Sequence, residues 1–192
     1  MKNTGYIAYQ LRELCAEKRI ASVFADVDNP DDFIAGYVRG VNAKSALIES
    51  VTPYGRYDGW FAMRLSCVVE VMHDMIYADR LTLLLEIHEQ QSSDIFSASE
   101  EDYVIMLLKY AKTHKRVVTV WTAADSYCGF VSALNDLHAV IESIDFMGGR
   151  FGHFYVKVLD IELLSLGSEE ERMNEALSRH YQRLEGGEDG ND

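Results

Sequence analysis

The residues best placed to do chemistry in this 192-residue chain come in matched sets, because Gly36–Met72 aligns without a gap on Gly129–Ser165. Glu49 and Arg64 flank a glycine-bracketed turn in the first stretch, and Glu142 and Lys157 flank its counterpart in the second. If each hairpin is symmetric about its turn, Glu49 lies opposite Arg64 and Glu142 opposite Lys157, next to Ile48 opposite Leu65, Ser50 opposite Met63 and Ile141 opposite Val158. An acid facing a base across two strands contributes about 0.2–1 kcal/mol and helps fix register. The alternative is that Arg64 and Lys157 reach a ligand. The turn tips carry Arg56-Tyr57-Asp58 and Gly149-Arg150-Phe151, an arginine beside an aromatic each time. Exposed Arg and aromatic side chains are the usual anchors of protein interfaces, and a solvated turn with a packed aromatic is the other reading. Arg56, Tyr57, Trp60, Arg64, Arg150, Phe151 and Lys157 are therefore the candidate partner-binding residues.

Several other chemistries lack their residues. There is no nucleophile-elbow Gly-x-Ser-x-Gly, no phosphate-binding Gly-x-x-x-x-Gly-Lys and no dinucleotide Gly-x-Gly-x-x-Gly. His88-Glu89 has no histidine at the spacing a zinc helix needs, and the six histidines are dispersed. His153 stands where the first copy has Trp60. Cys15, Cys67 and Cys128 are odd in number and far apart, which points to no disulfide framework and no metal knuckle; Cys67 and Cys128 fall in apolar stretches and read as buried. No cofactor or metal is expected, and the chain reads as no enzyme.

Those residues have to be positioned by short elements. Helical spacing of Tyr6, Ile7, Leu11, Leu14 and Cys15 predicts a helix over residues 4–17, closed by Lys18-Arg19, and Ile20–Ala25 reads as a strand. Asp26–Asp32 is a loop by composition. Strands follow at Phe33–Val41, Ser45–Val51, Trp60–Leu65 and Val68–Met72, then a helix at Ile76–Gln90. A second helix starts at Ser99-Glu100-Glu101-Asp102 and runs to about Thr113. Its strands are Val117–Trp121, Cys128–Leu134, His138–Ile144, His153–Val158 and Ile161–Leu166. Ser168-Glu169-Glu170-Glu171 is a capping box opening a last helix to about Leu184, with Met173, Ala176, Leu177 and Tyr181 on one face. Ile48, Phe61, Met63 and Leu65, and likewise Ile141, Phe154, Val156 and Val158, form a core face, and Gly55, Gly59, Gly148 and Gly152 are expected at positive φ.

A helix followed by five short strands resembles the Sm-like fold of the SH3-like barrel group. Gly36-Tyr37-Val38 through Leu47-Ile48-Glu49 is similar to that family's first motif. Met63-Arg64-Leu65-Ser66-Cys67-Val68 is similar to its second, and Val156-Lys157-Val158-Leu159-Asp160-Ile161 more weakly so. The unit also looks like uncharacterised bacterial proteins with one or two such barrels and a Gly-x-Tyr-Asp-Gly turn, here Gly55–Gly59. The family's glycine after the arginine is Leu65 and Val158 here, and Asn42 and Asn135, which match each other, sit too early for its RNA pocket. The resemblance implies an α+β protein of two tandem five-stranded Sm-like barrels, each preceded by a helix, with a C-terminal helix. The expected domains are residues 1–91 and 92–184, with a disordered acidic tail at 185–192. A net charge of −13 disfavours a general nucleic-acid binder. The expected function is thus a non-catalytic module that binds protein partners or itself; the alternative is a divergent RNA binder using Arg56, Arg64, Arg150 and Lys157 as a basic rim. No apolar run spans a membrane and no signal-peptide core is present, so the expected compartment is the cytoplasm.

Overall fold

A computed structural model describes residues 4–25, 33–73, 75–93 and 95–187. The expected loop at 26–32 and the last part of the acidic tail, 188–192, lie outside the described residues. The chain divides into two compact units, residues 1–104 and 105–192.

The first unit holds α1 (Thr4–Glu17), β1 (Ile20–Phe24), β2 (Phe33–Val41), β3 (Ser45–Val51), β4 (Tyr57–Arg64), β5 (Glu70–Met72) and α2 (Met75–Ile87). A helix, α3 (Tyr103–His114), begins at its end. The second unit holds β6 (Val117–Thr122), β7 (Ser126–Leu134), β8 (His138–Ile144), β9 (Arg150–Lys157), a single 3-10 turn, β10 (Ile161–Leu166) and α4 (Glu169–Gly187). Most of these ends fall within three residues of the pattern-based expectation, because hydrophobic period and turn chemistry agree along most of the chain.

The architecture differs from the one that the Sm-like resemblance implies. The strands are ordered as an open antiparallel sheet and not as two closed five-stranded SH3-like barrels. In the first unit the order is β5-β1-β2-β3-β4, with β4 and β5 at opposite ends; in the second it is β10-β6-β7-β8-β9, with β10 and β9 at opposite ends. A barrel closes only when its terminal strands pair, and β5, three residues long, pairs with β1.

The pairing registers repeat between units. Gly36 faces Ser50 as Gly129 faces Ser143, Val38 faces Ile48 as Val131 faces Ile141, and each β2-type strand bulges at the next step. Gly36 and Gly129 are both required by close approach, since a Cβ at either would run into a carbonyl oxygen, of Glu49 or of Glu142. Gly55 and Gly148 have positive φ, 69° and 88°, and each presses on the helix that follows its sheet, at Leu84 of α2 and Leu177 of α4. Gly59 also has positive φ, but Gly152 does not: it lies in the β8–β9 ladder opposite Ser143.

Of the expected core face, Ile48, Met63, Leu65, Ile141, Val156 and Val158 are buried, and Phe61 and Phe154 are half-buried. In the first unit Ile20, Ala35, Val51, Ala78, Leu81 and Leu85 cluster, so α2 buries its aliphatic stripe with Phe33, Tyr37, Tyr57 and Tyr77 around it. The capping box forms as predicted: Glu171 Oε2 accepts from Ser168 N–H at 2.8 Å and Ser168 Oγ from Glu171 N–H at 3.4 Å. Beyond it α4 buries Glu171, Glu175 and Ser178, while Met173, Tyr181 and Leu184 face solvent. No helix among the described residues is long and apolar enough to cross a membrane.

Candidate interaction face

The hairpin register differs from the symmetric one. Glu49 faces Trp60 and Arg64 faces Ser45, and in the second unit Glu142 faces His153 and Lys157 faces His138. The turn is the reason. It closes early, with Thr52 N–H donating to Arg56 O at 2.8 Å and Gly55 N–H to Thr52 O at 3.0 Å, and a register shift follows between Glu49 and Val51. The expected Glu49–Arg64 and Glu142–Lys157 ion pairs therefore do not form across the strands.

Glu49 and Arg64 instead bind other groups on the same face. Arg39 donates twice to Glu49 Oε2, from Nε at 2.9 Å and Nη2 at 2.6 Å. Ser92 Oγ donates to the same oxygen at 2.8 Å and Ser93 N–H to Oε1 at 3.1 Å. Arg39 also lies over the Tyr37 ring, 4.9 Å from its centroid. Burial, and then the Glu49 carboxylate, raises the Tyr57 phenol above its ordinary range. Trp60 is buried; its Nε1–H donates to Ser93 Oγ at 3.1 Å and its ring meets Phe96 edge-on at 5.2 Å. Arg64, also buried, pairs with Asp102. Asp102 Oδ1 accepts from Ser45 Oγ and from Val104 N–H, both at 3.1 Å, which caps α3. Asn42 Oδ1 accepts from Lys44 and Ser45 N–H at 2.9 Å each, and its Nδ2 donates to Glu101 O at 2.6 Å. Described residues of the irregular stretch from 91 to 102 thus bind this sheet face, and Glu49, Trp60, Arg64 and Asn42 are among their anchors.

The matching face of the second unit is open. On β9, Tyr155 is 78% exposed, and His153 and Lys157 share its side of the strand. Glu142 is half-buried and held by Arg150, whose guanidinium lies 4.9 Å from the Phe130 centroid. Asn135 forms the same turn as Asn42, accepting from Leu137 N–H at 2.9 Å and His138 N–H at 2.8 Å. Leu137 is 65% exposed.

Of the residues singled out in the sequence, Arg150, Phe151 and Lys157 lie on β9; the bulge between Arg150 and Gly152 puts Arg150 on the side of Lys157 and Phe151 on the other side, where its ring lies 6.3 Å from that of Phe154. Tyr57, Trp60 and Arg64 lie on β4 with Trp60 and Arg64 buried, and Arg56 is exposed in the turn before them. Arg39, Asn42, Ser45, Ser92, Ser93 and Asp102 were not foreseen on the first face, nor His138 and Tyr155 on the second. One signal for them lay in the repeat: Arg39 aligns with Ser132 and Trp60 with His153, so the partners that Arg39 and Trp60 hold in the first copy have no obvious counterpart in the second. No known family model matches this chain, and no curated protein matches it.

Proposed function

We propose that this protein is a non-catalytic interaction module that binds another protein through the β8–β9 face of its second unit. The observation that carries this reading is the row Arg150, His153, Tyr155 and Lys157, which presents a large, 78% exposed tyrosine ring flanked by cationic side chains on a terminal strand. Exposed aromatics beside cationic side chains are what interface centres use, and a terminal strand offers its backbone to an added one. Two of the four cations of the alternative RNA rim already have carboxylate partners, Arg64 with Asp102 and Arg150 with Glu142. The net charge of −13 also disfavours a phosphate backbone. Cys15, Cys67 and Cys128 form no disulfide, which suits a reducing compartment, and the cytoplasm is the compartment we propose.

Selection of a random displayed-peptide library on the immobilised full chain, counter-selected on His153→Ser/Tyr155→Ser, tests the proposal. Enrichment of peptides that bind the wild type and not the variant is expected. The reading is overturned if no peptide is enriched, or if a labelled random RNA pool binds through Lys157 with a steep inverse salt dependence.

A further inference from the structure

The first unit supplies a template for what the second unit's face holds. Its own stretch from 91 to 102 engages four anchors, and the aligned position in the second unit offers a related group at each. Glu49, which accepts from Ser92 and Ser93, aligns with Glu142. Trp60, which donates through its ring nitrogen and packs against Phe96, aligns with His153, an aromatic that also carries ring N–H. Arg64, paired with Asp102, aligns with Lys157, a cation again. Asn42, whose Nδ2 donates to the Glu101 carbonyl, aligns with Asn135, which makes the same turn.

The differences are as informative. Ser45, which shares Asp102 with Arg64, becomes His138, a further donor for an acidic side chain beside Lys157. Ala62, fully buried, becomes Tyr155, 78% exposed. The second face thus keeps the recognition chemistry of the first and lacks its cover.

Resting on the function proposed above, we infer that this face takes an extended polypeptide segment of the same chemistry as residues 91–102. Such a segment carries hydroxyl and backbone N–H groups for Glu142, an aromatic side chain against His153 and Tyr155, and a downstream carboxylate for Lys157 and His138. Charge complementarity supports this at the downstream end, since the covering stretch ends in Glu100-Glu101-Asp102 and the face carries Lys157 opposite His138. An acidic segment gains from that field both in encounter and in register.

The test uses the full-length protein and a fluorescein-labelled synthetic peptide with the sequence of residues 91–102. Saturable anisotropy is expected, weakened about fivefold to tenfold by Lys157→Glu and by replacing the peptide's final aspartate with lysine. Replacing the peptide's phenylalanine with alanine is expected to weaken it as much. In 1H–15N spectra the peptide shifts the amides of His153 and Tyr155 and leaves the Trp60 indole N–H in place. Shifts confined to Trp60 overturn the inference, because the peptide is then exchanging with the chain's own cover. Failure of this peptide while library peptides of other chemistry bind overturns the inference and leaves the interaction function standing. Failure of every peptide overturns both.

Discussion

Glu49 and Glu142 occupy the same register position in two units built on the same strand pairing, and their surroundings are opposite. Glu49 is 1% exposed and satisfied by an arginine, a hydroxyl and a backbone N–H. Glu142 is half-buried and paired with Arg150. The same contrast runs along the neighbouring strand: Trp60, Ala62 and Arg64 are buried, whereas His153, Tyr155 and Lys157 are exposed. A sheet face is therefore not defined by its strands alone. What lies over it decides whether an acid and a cation become a structural network or a surface, and in the first unit the cover is chain without regular structure.

The largest difference between the two faces should appear when the carboxylate is removed. Asp102→Ala leaves the Arg64 guanidinium buried without its partner and uncaps α3, and a loss of about 3–5 kcal/mol is expected. Lys157→Ala, at the position aligned with Arg64, should change stability by no more than about 0.5 kcal/mol, because its side chain is in solvent. Urea unfolding of both variants measures the contrast; equal losses would mean the two faces are covered alike. The double variant Arg64→Met/Asp102→Leu sharpens it, since replacing both charges with apolar groups should recover most of the loss.

Trp60→Ala comes next, at about 3–4 kcal/mol, because it opens a cavity under the covering stretch and leaves Ser93 without its donor. His153→Ala should be near neutral. Limited proteolysis adds a second readout: cleavage between residues 91 and 102 should accelerate in Trp60→Ala and stay slow in His153→Ala. Unchanged cleavage in Trp60→Ala would detach the cover from Trp60.

A smaller effect follows from Tyr57, whose phenol is raised by burial first and by Glu49 second. A group whose folded-state pKa lies above its unfolded value stabilises the protein fully below the unfolded value, and that contribution is lost as pH rises through the folded one. Stability should therefore fall more steeply above about pH 10 in the wild type than in Tyr57→Phe. Parallel urea midpoints from pH 9 upward in the two proteins would remove Tyr57 from the account.

Much of this fold is legible residue by residue, and its limits have physical causes. Period-2 and period-3.6 patterns place β2, β3, β8, β10 and α1 within their observed ends, because local and tertiary preferences agree there. Asn42 and Asn135 read correctly as turn residues because an Asx turn is a local device. The β3–β4 register is not local: it depends on where the turn closes, and Thr52 to Arg56 closes it before the glycine-bracketed tip suggests. The Sm-like resemblance shares order and spacing with this chain, but closure depends on which strand edges pair, and short-range pattern carries no information on that. The stretch from 91 to 102 has no periodicity, so nothing in it announces that Ser92, Ser93 and Asp102 bind side chains more than thirty residues away.

The two helices that follow the sheets extend the comparison to its smallest effect. Ala78, Leu81 and Leu85 form the buried stripe of α2, whereas α4 buries Glu171, Glu175 and Ser178. Two of those polar groups are satisfied, Glu171 by Ser165 and Ser168, and Glu175 by Arg116 Nε at 2.7 Å and Val117 N–H at 3.0 Å. Ser178 Oγ is buried with no hydrogen-bond partner among the described residues. A buried unpaired hydroxyl is unfavourable, and serine is a weaker helix former than alanine. Ser178→Ala should therefore raise stability by about 1 kcal/mol, read as a higher urea midpoint at unchanged slope. A loss instead would show that the hydroxyl has a partner, an ordered water being the first to look for, and that α4 has made its polar inner face as complete as the aliphatic one of α2.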